Sequence, residues 1–284
     1  MVAIPDCLIM ERVKQALEED IGPGDATSIA TVPDSVLAAA DMVARQPLIV
    51  CGLDIARSVF LQTCPNLCVT ATSKDGEWAS SGGILMTLHG SARAILAAER
   101  TALNFVQRLS GVATKTAEYC RAIKGFKTRI LDTRKTTPGW RLFEKYAASC
   151  GGATNHRMGL YDQILIKDNH LVALQNEKPN PIAAAVRRSR ACFPHLKVEV
   201  EADSLSQVRQ AVEAGADVIL LDNMSLPELR EAIAIVAGRA LTEASGGIRL
   251  DALRAIAETG VDFISVGALT HSAPAVDIGL DFRV

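Results

Sequence analysis

The sequence lacks any excess of positive charge: 30 lysines and arginines stand against 32 acids, a formal net charge of −2 at pH 7. Surfaces built for nucleic acid or for an anionic membrane need a basic excess, so neither partner is expected and any anion site must be local. No apolar run approaches the roughly 18 residues that a membrane span needs. The N-terminal stretch carries Asp6, Glu11, Glu18, Glu19 and Asp20 in place of the basic and apolar blocks of a secretory signal, so the expected location is cytoplasmic. Metal-site spacing is missing too. The seven cysteines (Cys7, Cys51, Cys64, Cys68, Cys120, Cys150 and Cys192) are odd in number and scattered, and Cys64 and Cys68 have no Cys or His companions, so all are read as reduced packing residues without a metal. There is no Gly-Lys-Ser/Thr phosphate loop, no Gly-x-Gly-x-x-Gly, no His-Glu-x-x-His and no Gly-x-Ser-x-Gly, which removes the usual support for four large enzyme classes.

What is present is a chain of 284 residues, 49% hydrophobic and 22% charged, able to bury a full core as one large domain or two smaller ones. Asp6 is placed to cap a helix whose Ile9, Val13 and Ala16/Leu17 recur at helical spacing up to the Gly22-Pro23-Gly24 turn. Between Val36 and Leu88, short apolar segments broken by Pro47, Gly52, Pro65, Gly76 and Gly82-Gly83 predict a small antiparallel sheet. From Ser91 to Leu109 the period is helical again, with Ile95, Ala98, Ala102, Phe105/Val106 and Leu109 on one face and Gly111 placed as a C-terminal cap. A second stripe on that helix, Arg93, Arg100, Asn104 and Gln107, is polar and reads on pattern alone as a solvated face.

After this helix the texture alternates between β and α. Strand-like runs at Arg129–Asp132, Gln163–Lys167, Leu196–Glu201, Asp217–Asp222, Ala240–Glu243 and Asp262–Val266 predict a parallel sheet with right-handed crossovers, an incomplete or small barrel. Glu201, Asp222 and Glu243 each close a strand and are spaced 21 residues apart, about one βα unit. Each could be an ordinary loop acid. Three in phase, with Asp132 and Lys167 on the two earlier strands, point to function, because barrel enzymes put their chemistry at strand C-termini.

The segment from Asp132 to His170 holds six Lys/Arg (Arg134, Lys135, Arg141, Lys145, Arg157 and Lys167), His156 and His170, against four acids. That local excess opposes the sign of the whole chain. Arginine forks suit carboxylates and phosphates, lysine supplies a point charge, and Gly151-Gly152 would let backbone approach a ligand closely. Arg141 and Lys145, four apart beside Glu144, are expected as surface pairs. Further on, Ser245-Gly246-Gly247 and Val266-Gly267-Ala268 follow consecutive strands, as glycine-containing phosphate loops do in barrels.

These features together resemble the quinolinate phosphoribosyltransferase family. The resemblance runs in order through Glu19-Asp20-Ile21-Gly22, Glu99–Asn104, the basic segment, VEVE (Val198–Glu201), LLDN (Leu220–Asn223), EASGG (Glu243–Gly247) and Ile264–Asp277. Ala153 departs from it, standing where many bacterial members have a third glycine. The resemblance implies an α/β chain of two parts: an N-terminal open α/β sandwich domain over residues 1–110, completed by about 272–284, and an incomplete α/β barrel of the type II phosphoribosyltransferases over 111–271. It implies that Thr133, Arg134, His156, Arg157 and Lys167 hold quinolinate, with Arg100 reaching in from a partner subunit of a homodimer or larger homo-oligomer. Lys135, Ser245, Gly246, Gly247, Val266, Gly267, Ala268 and His271 would hold the phosphates of phosphoribosyl pyrophosphate. Glu201 and Asp222 would act with Lys135 and Lys167 in catalysis, and with Mg2+ brought in on the pyrophosphate. Rival expectations are a nicotinate-using or molybdenum-transport-associated paralogue, and a phosphate-binding scaffold that has lost catalysis. The full cation set and the retained acids disfavour both.

Overall fold

The computed structural model describes residues 3–283, so residues 1, 2 and 284 of the expected domain ranges lie outside it. The chain divides into two compact units. One is built from the described residues up to Ala117 with Thr137–Gly152 and those from Leu269 onward; the other from Glu118–Thr136 and Ala153–Ala268. Residues 137–152, counted above with the barrel, thus group with the first unit. The helix Arg141–Cys150 buries Phe143, Ala147 and Ala148 there, and Trp140 stacks on Phe105 with ring centroids 5.3 Å apart.

In the first unit the helix Asp6–Ile21 buries Ile9, Val13 and Leu17 as the spacing predicts. Asp6 is its first residue, not its cap; Pro5 holds the cap position. Strands Leu37–Ala44, Ile84–Ser91 and Cys68–Ala71 pair antiparallel, and the last strand, Ile278–Arg283, pairs antiparallel with the far side of Leu37–Ala44. The long helix Ala92–Ala122 does not stop at Gly111. A Cβ at Gly111 would come within 2.0 Å of the Pro274 carbonyl oxygen, so this glycine serves close backbone approach and not a cap. The polar stripe on this helix splits into two kinds. Arg93 Nε donates to the Val32 carbonyl at 2.6 Å and Gln107 Nε2 to the Ile278 carbonyl at 2.7 Å, while Arg100 and Asn104 are exposed.

The second unit holds a six-stranded sheet, parallel throughout. In space the strands run Arg129–Leu131, Phe263–Ser265, Leu241–Ser245, Val218–Asp222, Val198–Ala202, Ile164–Ile166. This is barrel order, interrupted only between the first two strands of the sequence, where Thr154 makes a single parallel bridge to Leu131. Val198, Val200, Ile219 and Leu221 are fully buried, as expected where strands are covered on both faces and apolar runs replace alternation.

Candidate active site

A parallel barrel brings every strand's C-terminal end to one rim. Thr133, Arg134 and Lys135 follow the first strand, Lys167 the second, Asp222 ends the fourth, and the loops Ser245–Gly247 and Val266–Ala268 leave the last two. Glu201 lies one residue before the end of the third strand. Lys167 Nζ is 3.1 Å from Glu201 Oε2, an ion pair with the lysine half-exposed. Asp222 Oδ2 accepts from the side chain of Asn223 at 2.7 Å. Thr133 Oγ1 accepts the Lys135 backbone N–H at 3.0 Å and so shapes the turn that carries both cations.

The electrostatics centre on Arg134 and Arg157. Arg157 is 9% exposed, and its guanidinium is held below the usual arginine range, first by burial and then by the charge of Arg134. The buried Nε of Arg134 has no hydrogen-bond partner among the described residues. Two neighbouring guanidiniums, one buried and one with an unused donor, favour an anion between them.

The phosphate-type loop is fixed by a glycine requirement. Gly246 has φ +99°, and a Cβ there would come within 2.2 Å of Asn223 Oδ1. Asn223 itself has φ +56° and donates its N–H to the Ser245 carbonyl at 3.0 Å, so the two loops are knitted together. A cavity of about 300 Å³ borders Asn223, Ser225 and Ser245–Gly247.

Comparison with known proteins agrees with this architecture. Residues 25–110 match the family model for the quinolinate phosphoribosyl transferase N-terminal domain, and residues 112–281 the one for the quinolinate phosphoribosyl transferase C-terminal domain. The chain belongs to the quinolinate phosphoribosyl transferase family. It is 42% identical over 264 residues to the probable nicotinate-nucleotide pyrophosphorylase of Bacillus subtilis, covering 93% of this chain and 89% of that one. Its identity to the Mycobacterium leprae nicotinate-nucleotide pyrophosphorylase is also 42%, over 277 residues, covering 95% of this chain and 96% of that one. The solved structure of the nicotinate-nucleotide pyrophosphorylase from Francisella tularensis superposes with a TM-score of 0.94 at 40% identity, covering 99% of this chain and 98% of that one.

Several expected residues of this phosphoribosyl transferase sit differently from the sequence reading. His271, counted above with the barrel, groups with the first unit, where Arg100 also lies as expected of a residue within 1–110. His156 does not offer a free ring nitrogen: Nδ1 accepts the Arg157 backbone N–H at 2.6 Å, and Nε2 lies 3.1 Å from Glu199 and 3.5 Å from Glu243. The ring borders a cavity of about 170 Å³ that is also lined by Val218, Leu241 and Phe263, the first residues of their strands. Asp132 is fully buried and ties down the loop ahead of Arg157, accepting from Asn155 Nδ2 at 2.6 Å and the His156 N–H at 2.8 Å. Lys145 is fully buried, not a surface partner, and Glu144 beside it is buried too, accepting from Arg108 at 2.7 Å and from Thr137. Gly151 packs so closely on the Ala113 carbonyl that a Cβ would lie 2.3 Å from it, so its smallness serves packing and not a ligand.

Glu199 is the residue that sequence reasoning missed. The V-E-V-E alternation was the available signal, since residues two apart share a strand face and Glu199 must point where Glu201 points. Glu199 and Glu243 are both buried, and burial together with the Glu199 charge pushes Glu243 up to about 8. Among the described residues two groups have side chains close enough to share a cation: His156, Glu199 and Glu243, and Cys51, Asp75 and Cys150. The Asp75 carboxylate is already engaged, accepting from the N–H groups of Gly52 and Leu53 and from the Tyr146 hydroxyl.

Proposed function

We propose that the barrel rim binds two anions side by side: Arg134, Arg157 and Lys167 hold the two carboxylates of quinolinate, and Lys135 with Ser245–Gly247 and Val266–Ala268 holds the phosphates of phosphoribosyl pyrophosphate. The chain transfers phosphoribosyl from phosphoribosyl pyrophosphate to the ring nitrogen of quinolinate with decarboxylation, giving nicotinate mononucleotide, pyrophosphate and carbon dioxide in NAD biosynthesis. The pairing of buried Arg157 with Arg134 carries the assignment of the dicarboxylate, because burial and the Arg134 charge outweigh the attraction of Glu199 and Asp162 and an arriving anion would relieve the balance. Thr133 sits at the same strand end, and His271 is the further candidate for a phosphate. The exposed Arg100 supports a homodimer or larger homo-oligomer in which it serves a neighbour's site.

The pyridine nitrogen has a free lone pair, so no general base is needed to create the nucleophile, and positioning and charge supply the rate. Bond formation from nitrogen to the ribose anomeric carbon accompanies loss of pyrophosphate. Positive charge develops on the sugar, and Glu201 and Asp222 stabilise it or bind the ribose hydroxyls. Lys135 and Lys167 meet the negative charge of the leaving group and the acid. Once alkylated, the cationic ring takes up the electron pair left when the adjacent carboxylate departs as carbon dioxide, and a proton then fills that carbon. Glu201 and Asp222 are hard oxygen donors at neighbouring strand ends, too few to cage a cation alone, which fits Mg2+ shared with substrate phosphates. Bound there, Mg2+ would neutralise the pyrophosphate.

The proposed location is the cytoplasm; no described helix is long and apolar enough to cross a membrane. Neither nucleic acid nor membrane is proposed as a partner. Incubation with Mg2+, phosphoribosyl pyrophosphate and either quinolinate or nicotinate tests the reading. Pyrophosphate with carbon dioxide from quinolinate alone is expected; pyrophosphate from nicotinate at a comparable rate would move the assignment to a nicotinate-using enzyme.

A further inference from the structure

Arg157 is held at both ends. Its backbone N–H donates to His156 Nδ1 at 2.6 Å, and its Nη1 donates to the Gln163 carbonyl at 3.1 Å. Both holders are in turn tied to one atom of one residue: Glu199 Oε2 accepts from Gln163 Nε2 at 2.7 Å and lies 3.1 Å from His156 Nε2. Glu199 is 0% exposed within the barrel. A buried carboxylate is costly unless its surroundings repay it, and a strand that needs only apolar side chains for packing has no use for one.

A cation shared with His156 does not account for it. His156 Nδ1 receives an N–H, so in the neutral ring the proton sits on Nε2 and points at the carboxylates, where such an ion would have to lie. The arrangement suits a neutral histidine donating to Glu199.

We propose that Glu199 is a positioning residue for recognition of the dicarboxylate. It anchors the Gln163 side chain, whose backbone carbonyl aims the Arg157 guanidinium, and it turns the His156 ring so that Nδ1 receives the Arg157 N–H. This rests on the reading above that Arg157 binds a quinolinate carboxylate. Misplacing a charged ligand group by a fraction of an ångström weakens the contact it makes without touching the second substrate.

The test measures KM for each substrate in Glu199→Leu, Gln163→Leu and the double variant, with thermal melting to establish folding. Each single change is expected to raise the quinolinate KM about tenfold and leave that for phosphoribosyl pyrophosphate within about twofold, and the double variant should again show about tenfold, because the two residues form one link. Glu199→Gln, which keeps the size and the accepting oxygen, should recover most of the loss. An unchanged quinolinate KM, equal losses for both substrates, or an additive loss of about a hundredfold in the double variant overturns the proposal. If Glu199→Leu does not fold, Gln163→Leu and Glu199→Gln decide by the same criteria. Arg157→Met separates the two levels. If it leaves the quinolinate KM unchanged, the ligand reading fails; if it raises that KM while Gln163→Leu and Glu199→Leu do not, the positioning claim alone fails.

Discussion

Replacing Arg157 by methionine should weaken quinolinate binding while leaving the folded chain as stable as before, or more so. Methionine keeps much of the volume and the unbranched stem, and removes the charge. A hydrogen bond to a charged group contributes about 1.5–3 kcal/mol, so losing the guanidinium should raise the quinolinate KM roughly ten- to hundredfold. The KM for phosphoribosyl pyrophosphate should move by less than about threefold, because its phosphates are assigned to other loops. The stability expectation comes from the same electrostatics. Burial and Arg134 both act against the charged form of Arg157, and the charges of Glu199 and Asp162 offset them only in part. Relief of that electrostatic penalty opposes loss of the charge-assisted bond to the Gln163 carbonyl, worth about 1.5–3 kcal/mol. Steady-state kinetics in both substrates and melting without ligand provide the measurements. Equal losses for the two substrates, or a melting temperature lowered by more than about 5 °C, would refute the reasoning.

Three further outcomes are expected. An inactive Arg100→Ala chain mixed with an inactive Glu201→Ala chain should regain activity through one intact shared site; no recovery in mixed dimers verified by mass would sink the cross-subunit role. Glu243 is raised from 4.5 to about 8, so its contribution to stability is fully present below pH 4.5 and is lost as pH rises through about 8; wild-type melting should therefore fall progressively between pH 4.5 and about 8 and level off above, and Glu243→Gln should lack that component. Gly246→Ala should disorder the loop that meets Asn223 and raise the KM for phosphoribosyl pyrophosphate well above that for quinolinate, because the added Cβ has neither room nor a permitted φ.

The barrel was legible because its strands are short apolar runs between helical patterns; of the three acids read as closing strands 21 residues apart, Asp222 ends its strand and Glu201 lies one residue before the end, but Glu243 is buried at the centre of Leu241–Ser245. What failed did so for identifiable reasons. Arg141 and Lys145, four apart beside Glu144, have the spacing of an exposed helical face, and nothing local reveals that Lys145 and Glu144 are buried or that Arg108, 36 residues earlier, reaches Glu144. Gly111 looks like a cap in a one-dimensional pattern, whereas its use depends on Pro274, far along the chain. His156 beside Arg157 reads as one more cation. Only the fold turns its ring inward onto Glu199 and Glu243, residues on two separate strands. The cysteines show the same limit: Cys51 and Cys150 come together beside Asp75 although neither has a neighbour at a recognisable interval.

The pairing of Ile278–Arg283 with Leu37–Ala44 bears on how the chain is made. Synthesis delivers residues from the N-terminus onward, so the strand Leu37–Ala44 leaves the ribosome long before its outer neighbour exists. Until residues 278–283 have been made, that strand offers a bare row of N–H and C=O groups on its outer side, the template on which other nascent chains can add. All barrel strands have been translated by then. A message broken between the codons for residues 271 and 278 would thus yield a protein with every rim residue encoded and an unprotected sheet edge, one whose fate is decided by aggregation and chaperones before catalysis is ever at issue.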